Sequence, residues 1–355
     1  MSDTASPAIK KKLSCAIVGA TGVAGQQFVE GLQGHPWFTI THLFASERSA
    51  GKVYKEAAVW HGEGSHPADI ADMVVLSTDD IEREAANIDI FFSALPSETA
   101  REIEGRCAAF KPVISTAAAY RYDDDVPILI PEVNADHALL IRKQKERGWK
   151  GFVVPGSNCT TVGLAIALKP VMDNFGIKRV IMTSLQALSG AGYPGVASMD
   201  ILDNVIPYIG KEEEKVKKEL VKIIPGTYLV GATCTRVHVR DGHTETVTVE
   251  TEKPCTPESF MAAVVGFNKK CREQFGPLPS APNETIVLAD GVNRPQPRLD
   301  RNTHNGMATV VGRIRTEDVF PNSISFVLLS HNTKRGAALG EILTAEYLYK
   351  QGYIA

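Results

Sequence analysis

Leu13-Ser14-Cys15-Ala16-Ile17-Val18-Gly19-Ala20-Thr21-Gly22-Val23-Ala24-Gly25 decides the fold of this chain. A short apolar strand runs straight into glycines at 19, 22 and 25, and an amphipathic segment, Gln26 to Gln33, follows. A glycine turn between a first parallel strand and a helix is how a dinucleotide fold brings backbone amides and a helix N-terminus to a pyrophosphate. Glycines at this spacing also occur in plain tight turns. It is the strand before, the helix after and the N-terminal position that favour the cofactor reading.

Outward from that turn, the second strand Thr39 to Ala45 ends in Ser46-Glu47-Arg48-Ser49-Ala50-Gly51-Lys52. An acidic residue at this strand end binds a ribose 2′-hydroxyl, whereas Arg48 with the hydroxyls of Ser46 and Ser49 suits a 2′-phosphate. NADP is expected over NAD, with Glu47 pulling the other way. Further strands are expected at Ile88 to Ser93 and Pro112 to Ser115. The first of these delivers Ala94-Leu95-Pro96-Ser97 to the ligand-binding edge, and the second is followed by a loop bearing Arg121. The expected class is α/β: a Rossmann-type doubly wound parallel sheet over residues 1–155, then an α+β catalytic and dimerisation domain over 156–330. A C-terminal segment, 331–355, would return its helix to the first domain.

At the join lies Gly151-Phe152-Val153-Val154-Pro155-Gly156-Ser157-Asn158-Cys159-Thr160-Thr161, followed by a small-residue apolar helix. An isolated cysteine is ordinarily a small buried hydrophobe. A cysteine at a strand-to-helix turn is different, because unpaired amides and the positive helix end favour thiolate. Thr160 or Thr161 would cap the helix with a hydroxyl, and the Asn158 amide would donate to an oxyanion beside the sulfur.

Three later segments carry the other polar candidates. Strand Val180 to Ala187 feeds the small-residue loop Leu188-Ser189-Gly190-Ala191-Gly192-Tyr193-Pro194-Gly195, either a close approach to ligand or a flexible crossover. Gly210 to Ile224 reads as a helix in which Glu213 precedes Val216 and Leu220 by three and seven residues, placing an acid on the buried stripe. A salt-bridged helix end is the competing reading. Cys234 to Arg240 alternates, Asp241-Gly242 signals a two-residue hairpin, and Arg236 and His243 would then share one sheet face about 13 Å apart along the strand. A solvated polar face competes there.

With 355 residues the chain can build two cores, and a net charge of -3 gives no reason to expect nucleic acid or an anionic membrane as partner. No apolar run reaches membrane-spanning length and the start, Met1 to Lys12, is polar, so neither a span nor a leader is expected. Cysteines at 15, 107, 159, 234, 255 and 271 form no CxxC pair, which argues against disulfides and zinc and for a reducing cytoplasm. A thiol, a hydride cofactor site, a histidine and anion-binding arginines are the equipment for interconverting an aldehyde and an acyl derivative.

The GATGxxG turn, SxRSAG, YRxDxDVPxLIPEVN, NCTT, QALSGAGYPG, TRVxVxxGHTE, PQPRLDR and HNTKRGAA recur in order along nearly the whole chain. On these motifs the sequence resembles aspartate-semialdehyde dehydrogenases, of the archaeal and fungal branch. The resemblance implies Cys159 as nucleophile, Asn158 at the oxyanion, Gln186 orienting substrate and His243 as general acid and base. It further implies Arg236 on the substrate α-carboxylate, Glu213 on its α-amino group, and Lys215 and Arg121 on phosphate. Gly19, Thr21, Gly22, Val23, Ser46, Arg48, Ser49, Ser93, Gly190 and Asn332 would hold NADP, with no metal. The implied reaction is reduction of L-aspartyl 4-phosphate to the semialdehyde, on the route to lysine, methionine and threonine, by a homodimer or homotetramer. The family's usual Asn-Pro-Asn-Cys reads Gly156-Ser157-Asn158-Cys159 here. The scaffold also resembles archaeal malonyl-CoA reductase, and a catalytically silent NADP-binding regulator is the alternative from another class.

Overall fold

A computed structural model describes residues 12–355; the polar start of the chain lies outside them. The first sheet holds β1 (Leu13–Val18), β2 (Phe38–Ala45), β3 (Val75–Ser77), β4 (Ile90–Ser93), β5 (Val113–Ser115) and β6 (Val153–Pro155). Its order is β3-β2-β1-β4-β5-β6, and the pairs are all parallel. Strand order reverses between β1 and β4, and a doubly wound sheet opens its ligand crevice there. The central strands are mostly apolar, with Ser14 and Ser93 the exceptions, as befits a parallel sheet covered on both faces. Helix α1 (Val23–Gly31) follows the glycine turn and α2 (Ser97–Ala108) follows β4.

The second sheet holds β7 (Ile177–Gln186), β8 (Leu229–Arg236), β9 (His243–Thr251), β10 (Ile286–Leu288), β11 (Thr309–Glu317) and β12 (Ser323–Ser330), in the order β10-β11-β12-β9-β7-β8. Against it pack α3 (Cys159–Phe175), α4 (Glu212–Ile223) and α5 (Pro257–Phe275). The final helix α6 (Leu339–Lys350) packs on α1 and β5 of the first sheet, and Glu346 within it is paired with His35 at 2.9 Å.

The expected hairpin across Asp241-Gly242 does not form. β8 runs parallel to β7 on one side and β9 antiparallel to it on the other, so 237–242 crosses over the end of β7. Val237 N–H donates to Gln186 O (3.0 Å), and Val239 and Arg240 carbonyls accept from Leu188 and Ser189. The turn chemistry is real, with Gly242 at φ +97°, but a long strand lies between the two it joins.

Candidate active site

The crossing puts polar side chains in a row at the end of the second sheet. Arg236 is in register with Gln186 on β7, and His243 is in register with Ser330 on β12. Helix α3 then sets its first residue over this row. Cys159 Sγ lies 3.3 Å from His243 Nε2, and of the six cysteines, all free, Cys159 alone is half-buried rather than fully buried. A reactive thiol needs that access, whereas the others are packed hydrophobes.

Asn158, and neither Thr160 nor Thr161, caps α3. Its Oδ1 accepts from the Thr160 and Thr161 amides (2.9 and 3.2 Å), as an N-cap side chain does. The Nδ2 donates to Glu212 Oε1 at 2.8 Å, so one of its two N–H groups is committed before any oxyanion forms. The Asn158 amide itself donates to Glu219 Oε2 at 2.6 Å.

Two acids of α4 thus reach this turn, Glu212 through the Asn158 side chain and Glu219 through its backbone amide. Along α4 the expected apolar stripe of Val216, Leu220 and Ile223 is buried, and the acids that share it are Glu212 and Glu219 rather than Glu213. Glu213 turns aside and accepts from the Cys234 amide at 3.1 Å, while Lys215 reaches Glu212 Oε1 at 3.3 Å. Counting back four rather than three from Val216 would have found it.

Arg121 is also placed differently from the expectation. It is buried, with Nε donating to Gly156 O (2.6 Å), Nη2 to Thr116 O (3.0 Å) and Nη1 to Glu219 Oε1 (3.1 Å). Three of its five N–H groups are thus spent on bracing the nucleophile turn. Glu219 had no signal beyond its helical phase.

The imidazole sits under a glycine lid. A Cβ on Gly190 would come 2.8 Å from an Arg236 nitrogen and 2.9 Å from His243 Cε1, so the 188–195 loop is a close approach to the site. Arg236 donates to Ala187 O at 2.6 Å. Gln186 donates to Ser184 Oγ at 3.2 Å, and its buried Oε1 has no protein partner. Asn332 accepts from the Gly242 amide and donates to Ser189 Oγ, both at 2.8 Å, clamping the crossing segment to the glycine loop.

The electrostatics depart from the expected thiolate. Burial first, and then the Glu212 charge, push the Cys159 thiol up to about 12; Arg121, Arg236 and Lys215 pull it back only in part. Desolvation outweighs the helix end here. Burial, with Arg236 and His331, pushes His243 down to about 3, so the ring is neutral. Its Nδ1 accepts the Ala187 N–H at 3.1 Å, which assigns the ring proton to Nε2, facing the sulfur. His243 is thereby set as a donor to sulfur or oxyanion. Its expected role as base toward the thiol is not supported, because the lone pair that would take the proton is occupied.

At the first sheet the glycine turn fits a pyrophosphate. Gly19 has φ +83°, a Cβ on Gly25 would lie 2.2 Å from Gly19 O, and Gly22 precedes α1 with no side chain over the first-turn amides. Thr21 and Val23 lie half-buried beside them; Ser46, Glu47 and Arg48 are exposed at the end of β2, with Ser49 buried behind. Ser93 is fully buried and its hydroxyl donates to Glu104 of α2 at 2.7 Å, which leaves its backbone as the part that a cofactor could meet. Among the described residues no cluster of three His, Cys, Asp or Glu could hold a metal, and no helix is long and apolar enough to cross a membrane.

Comparison with known proteins agrees with this arrangement. Residues 14–141 match the family "Semialdehyde dehydrogenase, NAD binding domain", and residues 168–335 match "Semialdehyde dehydrogenase, dimerisation domain". An aspartate-semialdehyde dehydrogenase of Methanothermobacter thermautotrophicus is 44% identical over 346 residues, covering 95% of this chain and 99% of its own. A malonyl CoA reductase (NADP) of Metallosphaera sedula is 39% identical, covering 98% and 99%. The crystal structure of the Candida albicans aspartate semialdehyde dehydrogenase with NADP superposes with a TM-score of 0.86 at 37% identity, covering 97% of this chain and all of that one. With relatives at this identity over almost its entire length, and a thiol, imidazole and glycine turn placed as that chemistry requires, the chain belongs to the aspartate-semialdehyde dehydrogenase family.

Proposed function

We propose that this protein is an NADP-dependent oxidoreductase that reduces L-aspartyl 4-phosphate to L-aspartate 4-semialdehyde and phosphate in amino-acid biosynthesis. The observation that carries the reading is Cys159 Sγ at 3.3 Å from His243 Nε2, at the end of a row that also holds Arg236 and Gln186. The sulfur attacks the acyl carbon, an S–C bond forms, the C–O bond to phosphorus breaks, and the thiol proton leaves with phosphate. NADPH, which the glycine turn at residues 19–25 would hold, would supply the hydride for the thioester carbon. His243 would hydrogen-bond through Nε2–H to the oxygen as charge gathers there, keeping its proton so that the C=O re-forms directly on collapse. The C–S bond then breaks, the aldehyde departs and the sulfur regains a proton from water.

Arg236 suits the α-carboxylate, and Glu212, flanked by Lys215, suits the α-amino group. Gln186 orients the substrate and Gly190 keeps the loop low over it. Gly19, Thr21, Gly22 and Val23 hold the pyrophosphate, and Arg48 with Ser46 and Ser49 the 2′-phosphate. Arg121 contributes through the turn it braces. Free cysteines throughout favour a reducing cytoplasm. Exposed Ile181 and Leu185 on β7, with Leu202, Val205 and Tyr208 alongside, favour a homodimer through this face.

The identity to a malonyl CoA reductase keeps one rival. A malonyl group has no amine for Glu212 to hold, which favours the amino-acid substrate. Parallel assays decide: aspartate semialdehyde with phosphate and NADP against malonyl-CoA with NADPH. A larger specificity constant for malonyl-CoA overturns the reading, and failure to reduce NADP in the first assay makes the protein a silent binder. Cys159→Ala is expected to abolish turnover and retain NADP binding; residual turnover above about 1% refutes the covalent route, since loss of a nucleophile costs 10³-fold or more.

A further inference from the structure

The nucleophile turn touches a third part of the chain that its chemistry does not use. Residues 331–341 pass directly behind it. Gly336 meets Cys159, where an added Cβ would lie 2.9 Å from both Cys159 Cα and Cβ. One turn later comes Glu341, 5% exposed, against Gly156. A Cβ on Gly156 would lie 1.5 Å from Glu341 Oε1 and 2.3 Å from its Cδ, so a side chain at 156 would have to displace this carboxyl. Gly156 is itself fixed through its backbone, its amide donating to Ser115 O (2.8 Å) and its carbonyl accepting from Arg121 Nε (2.6 Å).

The tail is anchored from the other side. Arg335 makes a bidentate pair with Glu132 of the first domain, 2.8 Å on each arm, with both residues buried at the contact. Such a pair fixes direction as well as distance. Arg335 Nε and Glu341 Oε2 have no protein partner, and both residues line one small cavity with Ser157, Gly336, Gly340 and Thr344. Gly340 has no room for a side chain either, since its Cβ would come 2.2 Å from Arg335 O. One short segment thus joins the first domain, the turn and the sulfur-bearing residue through contacts with no slack.

We infer that Glu341 is a positioning residue for Cys159, and that its carboxyl occupies the room a side chain at position 156 would need. The departure of Gly156-Ser157 from the family's usual Asn-Pro is then one half of a pair whose other half is on α6. It concerns how the thiol is aimed and leaves the substrate class untouched. The inference rests on Cys159 being the nucleophile.

The test uses the full chain with NADP, in the variants G156A, E341A, E341Q and G156A/E341A. Two readouts are taken: the iodoacetamide alkylation rate at Cys159, followed by mass spectrometry, and kcat with KM. G156A is expected to slow alkylation and lower kcat at least tenfold, with KM changed less than twofold. G156A/E341A is expected to recover to within threefold of E341A, because the two side chains compete for one space. E341A alone is expected to lower kcat threefold or more at unchanged KM, with E341Q restoring at least half. Full alkylation and turnover in G156A, or a double variant no better than G156A, overturns the inference. Should G156A not fold, E341A indistinguishable from the unmodified protein in both readouts overturns it. Alkylation does not depend on the substrate assignment, so a wrong reaction shows as absent turnover in the unmodified protein and is read separately.

Discussion

Glu212→Gln separates two jobs that the proposed site gives to one carboxylate. Glutamine keeps an acceptor for Asn158 Nδ2 (2.8 Å) and so leaves the α3 cap in place; what it removes is the charge. For a substrate held through its ammonium, the loss is one charge-assisted hydrogen bond, about 1.5–3 kcal/mol, or roughly a ten- to 150-fold fall in kcat/KM carried mainly by KM. For the thiol the sign is opposite. Glu212 is the charge that pushes Cys159 up, second only to burial, so its neutralisation raises the thiolate fraction, about tenfold for each pKa unit recovered. Steady-state kinetics and iodoacetamide alkylation at pH 8 are measured on the same preparation. Glu213→Gln is the control, expected within about threefold of the unmodified protein in both, since Glu213 is turned away from the thiol and glutamine keeps an acceptor for the Cys234 amide. Slower alkylation in E212Q, or greater damage to kcat/KM in E213Q, refutes the assignment of the acid to 212.

Glu219→Ala breaks a buried pair whose side chains are 0% and 7% exposed, and it strips the Asn158 amide of its acceptor. The expected loss is about 3–5 kcal/mol in denaturant unfolding, and less than about 1 kcal/mol shows that Arg121 finds another partner. His243, held neutral down to about 3, contributes no ionisation between pH 5 and 7. The profile of log kcat/KM should lack an acid limb there, and an apparent pKa near 6.5 that disappears in His243→Asn contradicts the donor role. Burial pushes Glu341 up to about 8 from 4.5, so the stability it contributes is present below pH 4.5 and lost as pH rises through 8. E341Q should accordingly gain in thermal midpoint relative to the unmodified protein between pH 5 and 8.5, and a constant difference refutes a buried proton on this group.

The first domain was legible because its signals are local. Leu13 to Gly25 needs only a strand, a turn and a helix in sequence, and the structure places β1, a positive-φ Gly19 and α1 there. Cys159 was legible for the same reason, a residue at the joint between β6 and α3. The misreadings arose where the deciding partner was remote in the chain. Asp241-Gly242 is an honest turn signal, but only pairing shows that β7 separates the strands it joins. Ser93 and Arg121 carry groups suited to a ligand; Glu104 and Glu219 reach them first, across 11 and 98 residues. Glu212 was missed by one position, a 100° error on a helix, because both phases place an acid near Val216.

Those remote partners share a character that bears on mechanism. Glu212, Glu219 and Glu341 all converge on residues 156–159, and all come from helices, α4 or α6, outside the nucleophile's own element. Glu219 accepts from the Asn158 backbone amide and Glu341 packs against Gly156, while Glu212 bridges the Asn158 side chain and Lys215. A carboxylate that raises the thiol while the site is empty keeps the sulfur protonated and inert toward stray electrophiles. On the proposed assignment, a substrate ammonium arriving at Glu212 would answer its charge and remove that opposition to the thiolate. Recognition of the amino group and activation of the nucleophile are then one electrostatic event. An acyl group without an amine could occupy the same row of side chains and still meet a sulfur that has not been released.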